Sequence, residues 1–127
     1  MIRFMLTIIA AGVVFCFASS ASAKRSAPKE VASVILDGME YRVPMGIDRQ
    51  GYIDAYDAKT GRLVWARQIF VVIKDPNLEG DVQDVYITAI KADGRELLIT
   101  NERGYEYRLD LTSLDVKVIK GTTAIRR

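Results

Sequence analysis

GYIDAYDAKTGRLVW, residues Gly51 to Trp65, decides how this chain folds. In an extended backbone Tyr52, Asp54 and Tyr56 fall on one face and Ile53, Ala55 and Asp57 on the other. Asp57-Ala58-Lys59-Thr60-Gly61 then breaks the alternation. The Asp57 carboxylate can accept backbone N–H groups there, and Gly61 can take positive φ without a Cβ penalty. The run resumes at Arg62 and soon reaches Trp65, the single tryptophan, a large surface to bury. The stretch predicts a strand, a tight turn and a second strand.

The same grammar extends in both directions. Upstream, VASVIL and MEYRV flank Asp37-Gly38, a two-residue hairpin signal, and Pro44 to Gln50 separates them from the opening stretch. Downstream, the strand begun at Arg62 is predicted to run to about Ile73, with IFVVI apolar on both faces as in a strand covered from both sides. After the loop KDPNLEGDVQD come four short strands, VYITAIKA, RELLITNE, YEYRLDL and LDVKVI, joined by Asp93-Gly94, Arg103-Gly104 and a turn at Thr112-Ser113. No stretch after the leader carries a helical period. The expected fold is all-β, two four-stranded antiparallel meanders at residues 31–73 and 84–120, packed as a small sandwich or an incomplete propeller within one domain, 31–120.

The halves repeat. A shift of 53 superposes Gly51 on Gly104, Tyr52 on Tyr105 and Asp57 on Asp110, and each copy follows a strand pair with its own Asp-Gly turn. Ala55, Asp57, Thr60, Gly61 and Trp65 match an Ala-x-Asp-x-x-Thr-Gly-x-x-x-Trp signature, so the stretch resembles the repeat of quinoprotein-type (PQQ-like) β-propellers. In the copy at 104–118 Leu114 replaces Gly61 and Val118 replaces Trp65. The resemblance implies blade-like sheets. It does not imply the quinone chemistry, because that cofactor sits at the centre of a full ring and two blades cannot close one. No cofactor is expected.

Met1 to Ala23 has the layout of a secretory signal peptide: a charge at Arg3, an apolar run from about Phe4 to Phe17, and Ala21-Ser22-Ala23 as the cleavage site. That apolar run is shorter than the roughly 20 residues a membrane span needs. Cys16 is preceded by Val13, Val14 and Phe15, where a lipidation signal calls for a small residue. Residues 24–30 are expected to form a mobile arm and 121–127 a frayed basic tail. Removing Arg3 with the leader turns 18 basic residues into 17 against 16 acidic, a net charge of +1. That balance gives no support for nucleic-acid binding. The expected location is secreted, in a bacterial periplasm, with no membrane segment after cleavage.

Function is bounded by absences. The chain has no histidine and its single cysteine lies in the leader, which excludes Ser-His catalysis and His- or Cys-ligated zinc. Asp75, Asn77, Glu79, Gly80 and Asp81 reproduce positions 1, 3, 5, 6 and 7 of a calcium loop, but Pro76 stands at position 2 and Tyr86 at position 12, and the flanks read as strands. A solvated connection fits the same residues. Asp54 with Asp57, or Glu79 with Asp81, would be the carboxylate pairs of an enzyme, although alternate acidic residues are equally what a solvated strand carries. The favoured expectation is a non-catalytic module, monomeric with self-assembly as the alternative, binding an envelope protein, peptide or glycan. Tyr52, Tyr105 and Tyr107 are its surface candidates, and Asp57, Thr60, Gly61 and Trp65 are assigned to folding. A structural envelope protein without a ligand is the second expectation.

Overall fold

The computed structural model describes residues 28–78 and 83–126. The leader, most of the arm, and Glu79, Gly80 and Asp81 of the calcium-like loop lie outside the described residues. Two antiparallel four-stranded meanders make up the body. The first holds β1 (Val34–Leu36), β2 (Met39–Arg42), β3 (Tyr52–Asp57) and β4 (Leu63–Gln68). A short β5 (Val71–Ile73) leads away from it. The second meander holds β6 (Ile87–Asp93), β7 (Glu96–Asn101), β8 (Glu106–Asp110) and β9 (Val116–Lys120), and β10 (Ala124–Arg126) follows. One 3₁₀ turn, Ile47–Arg49, fills the gap between β2 and β3.

The repeated turns match bond for bond. Asp57 Oδ1 accepts the N–H groups of Lys59 and Thr60 at 2.8 and 3.0 Å, and Asp110 Oδ1 accepts those of Thr112 and Ser113 at 2.7 and 2.9 Å. These backbone donors favour the ionised carboxylate and hold both aspartates below the usual carboxylate range. Gly61 N–H returns to the Asp57 carbonyl at 2.8 Å, and Leu114 N–H to that of Asp110 at 2.8 Å. Leu114 adopts φ 63° where Gly61 has φ 72°. A side chain in that region costs about 1–2 kcal/mol. Leu114 offsets the cost by packing on the core, and its carbonyl accepts Arg67 Nε at 3.0 Å.

The hairpins match less closely than their shared Asp-Gly dipeptides imply. Leu36 pairs with Met39, so Asp37 and Gly38 are the central residues, both at positive φ as a type I′ turn requires. In the second hairpin Asp93 pairs with Glu96, which puts Gly94 and Arg95 at the centre. Ala58 N–H donates to the Gly38 carbonyl and Leu111 N–H to the Arg95 carbonyl, so Arg95 is the counterpart of Gly38.

The sheets meet through opposite faces. Tyr41, Ala55 and Trp65 lie in one row across β2, β3 and β4 and, with Ile53, turn toward the second sheet. The counterparts of Ile53 and Ala55, 53 residues on, are Glu106 and Arg108, on the outer side of the second sheet. Its inner side carries Leu97, Ile99, Tyr107 and Leu109, none more than 1% exposed. A two-fold sandwich would bring equivalent faces together. Successive blades of a propeller bring opposite faces together, as here. The linkers agree: β5 and β10 are also 53 residues apart, and they pair in parallel, Val71 with Ala124, Val72 with Ile125 and Ile73 with Arg126.

Two expectations are corrected by this pairing. The strand predicted over 62–73 stops at Gln68, because Ile69 N–H donates to the Gly51 carbonyl at 2.6 Å and Phe70 turns into the core, 1% exposed and stacked on Tyr107 with centroids 5.5 Å apart. The tail predicted over 121–127 contains β10, anchored by Ile125, 1% exposed. An apolar side chain within reach of the core outweighed the basic residues beside it.

A polar latch ties the connection between the sheets to the first one. Gln50 donates to Asp84 Oδ1 at 2.9 Å and accepts Val85 N–H at 2.9 Å, and Lys74 Nζ lies 2.6 Å from the same Asp84 oxygen. Burial pushes the Asp84 pKa up, but Lys74, Gln50 and Tyr86 together outweigh it and bring it below the ordinary value of 3.8. The ionised form is thus favoured by folding, so its contribution is present above that value and is lost as pH falls through the lowered pKa. Asp84→Asn is expected to cost about 1–3 kcal/mol at neutral pH. In urea titrations at several pH values the gap to the wild type should begin to narrow below about pH 4 and shrink further as pH falls; a constant gap would contradict the latch. Gly51 and Gly61, both at positive φ, separate two costs. A Cβ on Gly61 meets open space, whereas one on Gly51 falls onto the Phe70 carbonyl oxygen. Gly61→Ala should cost about 1 kcal/mol and Gly51→Ala about 3 kcal/mol or more, read as shifts in the urea midpoint.

Candidate functional site

The outer face of the first sheet has no sheet against it among the described residues. Register places Glu40, Tyr56 and Leu63 in one row, with Ile35 beside Glu40, and Arg42, Asp54 and Ala66 in the next. Ile35 is 67% exposed and Leu63 53%. The Arg42 guanidinium lies 4.4 Å from the Tyr56 ring centroid and pairs with Glu40, holding that carboxyl below its ordinary range. Arg49, delivered by the 3₁₀ turn, lies 4.8 Å from the Tyr52 centroid and 2.6 Å from the Asp54 carboxylate. Each carboxylate on this face therefore has a guanidinium beside it, and each guanidinium covers an aromatic ring. Such stacks contribute about 0.5–1 kcal/mol at exposed positions, and they hold two arginines flat with donors left for a partner.

The outer face of the second sheet has a different character. Arg108 sits between Asp93 and Glu96 at 3.0 and 3.1 Å, and these ion pairs hold its charge. Lys91, Glu106 and Lys117 are exposed around it. Leu98 and Ile119, the latter 47% exposed, lie among these charges.

The candidate residues do not converge. Tyr52 belongs to the arginine-tyrosine face, and Tyr105 is half-buried on the other half of the molecule. Tyr107 is not a surface residue: it is 1% exposed, its hydroxyl donates to the Thr122 carbonyl at 2.5 Å, and burial pushes its pKa up to about 12. Tyr105 precedes β8, which begins at Glu106, whereas Tyr107 lies within it on the side that faces the first sheet. Asp54 is paired with Arg49, and Asp57 accepts the backbone N–H groups of its turn. In the calcium-like loop Asp75 Oδ1 accepts Asn77 N–H at 2.9 Å, and the Gln83 amide donates to the Asp75 and Leu78 carbonyls. Among the described residues no group of three acidic, histidine or cysteine side chains could hold a metal ion. Thr60 Oγ1 accepts Arg62 N–H at 3.3 Å within the turn, and Trp65 is half-buried, its ring 5.8 Å from that of Tyr41. Sequence reasoning put Tyr56 on the face of Tyr52 but did not single it out, and it missed Arg42, which cross-strand register sets opposite Asp54, and Arg49, which the 3₁₀ turn delivers. Tyr107→Ala is expected to cost about 3–5 kcal/mol and Tyr52→Ala less than about 1 kcal/mol in urea denaturation, and equal costs would contradict the assignment.

No protein-family model and no curated protein matches the chain. Among solved structures it is similar to the crystal structure of BamB from Moraxella catarrhalis, with a TM-score of 0.56 over 75% of this chain at 18% sequence identity. The match takes in 28% of the BamB chain, so this chain spans well under half the length of that neighbour. The likeness supports a β-propeller-like fold, in agreement with the opposite-face packing of the two sheets.

Proposed function

We propose that the protein is a secreted, periplasmic, non-catalytic module that binds another envelope protein through the outer face of β1–β4. The observation that carries this reading is a mismatch between equivalent faces. Asp54, covered by Arg49 and 3% exposed, and the half-buried Tyr56 are on the open face the counterparts of Tyr107 and Leu109, which the second sheet buries against the first. A blade face that elsewhere in the chain packs on a sheet is here left facing solvent, with Ile35, Leu63 and Val64 all more than half exposed. Arginine and tyrosine beside such a surface are the residue types that dominate protein interfaces.

Chemistry points the same way. A chain without histidine, and with its only cysteine in the leader, lacks the usual general base and a thiol nucleophile. The leader layout supports export, and no helix of the described residues is long and apolar enough to cross a membrane. The partner offered by this surface is a protein presenting a β-sheet or an extended segment, with carboxylates placed for Arg42 and Arg49.

Site-specific photo-crosslinking in intact cells tests the proposal. A crosslinker at position 35 or 64 should give one discrete adduct, abolished by Arg42→Glu with Arg49→Glu, and position 91 or 117 on the opposite face should give none. An adduct of twice the chain's own mass would replace the foreign partner with a second copy. Equal yields from both faces, or no adduct at all, would sink the idea.

A further inference from the structure

Between the sheets, at the end where the Asp57 and Asp110 turns lie, a cleft of about 260 Å³ opens to solvent. Leu36, Met39, Tyr41, Trp65 and Leu111 line it, and four of the five are half-buried, with only Tyr41 fully in the core. Polar and apolar groups share its surface, and among the apolar ones the tilted Tyr41 and Trp65 rings offer two faces to one large side chain. Asp37 and Arg95 complete the lining, with side chains 70% and 72% exposed. They stand at the rim.

The rim is loosely held. Arg95 Nη1 lies 3.6 Å from Asp37, and Arg95 Nε lies 3.4 Å from Thr112 Oγ1, both longer than a good charged hydrogen bond. A surface pair of this kind contributes at most about 1 kcal/mol by itself. It is therefore open to exchange with a ligand that offers Arg95 a better acceptor and Asp37 a donor. Both charges are felt inside the cleft: burial raises the Tyr41 pKa most, Asp37 raises it further and Arg95 lowers it.

We propose that the cleft captures the C-terminal residue of a peptide. Its apolar side chain enters between Tyr41 and Trp65, its terminal carboxylate takes two donors from Arg95, and its own amide N–H faces Asp37. A single residue brings those three features together only at a chain end, because an internal residue has no carboxylate to give Arg95. The counterpart of Arg95 in the first hairpin is Gly38, which offers no side chain, so the rim charge belongs to one repeat alone. This site is separate from the outer face of β1–β4, and it does not rest on the binding proposed there.

Trp65, the sole tryptophan, reports on the cleft directly. Acetyl-Gly-Ser-Gly-Phe with a free carboxylate, titrated to millimolar concentration, should change its emission saturably. The same peptide as a C-terminal amide, and the free-acid peptide against Arg95→Gln, should bind at least about tenfold more weakly. Leu111→Phe, which fills the cleft, should abolish binding with the circular dichroism spectrum unchanged. Equal affinity for acid and amide, no emission change with either, or tighter binding of free phenylalanine than of the peptide would each overturn the proposal. Crosslinking at positions 35 and 64 should be unaffected by Arg95→Gln, so the two surfaces fail or stand separately.

Discussion

The parallel pairing of β5 with β10 is the contact on which the rest of the arrangement depends. Three residues on each side are too few to contribute much by themselves. Their importance is geometric, because each strand leaves the outermost strand of its own meander and the two segments are equivalent under the repeat. Joining equivalent points side by side and in the same direction obliges the second sheet to follow the first in the same sense. The inner face of one then meets the opposite face of the next, and Phe70, just before β5, and Ile125, in the middle of β10, complete the core.

That arrangement accounts for the division of labour between the outer faces. Each meander has one face in the core and one outside, but because opposite faces meet, the outside faces are unlike in sequence as well as in position. The second sheet ends in a net of ion pairs around Arg108. The first ends in rings covered by guanidinium groups, with aliphatic side chains around them. An open polymer built head to tail would need these two unlike faces to fit each other.

Much of this was legible in the residues. Alternation fixed the strands, and the Asp57 motif and its degenerate relative at Asp110 located equivalent turns, even though Leu114 had to enter a backbone region that favours glycine. What could not be read was how segments distant in sequence meet. IFVVI is apolar on both faces, and nothing local says that Ile69 and Phe70 leave the sheet while Val71 to Ile73 seek a partner 53 residues away. Isoleucine 125, isolated among polar and basic residues, carries no period. Tyr107 was misplaced because the burial of a face is decided by the opposite sheet, and Arg42 and Arg49 were missed because cross-strand register places the first and the fold of the 3₁₀ turn the second.

The linker pairing also has a consequence for the order of assembly. Every contact within a meander joins near neighbours in the chain, whereas bringing Val71 to Ala124 closes a loop whose entropy cost is about 3.5 kcal/mol before any contact is gained. Contacts of that separation are slow to form. Each meander therefore has reason to take shape first, exposing for a time the face that its partner will cover, and the small parallel sheet acts as the final clasp.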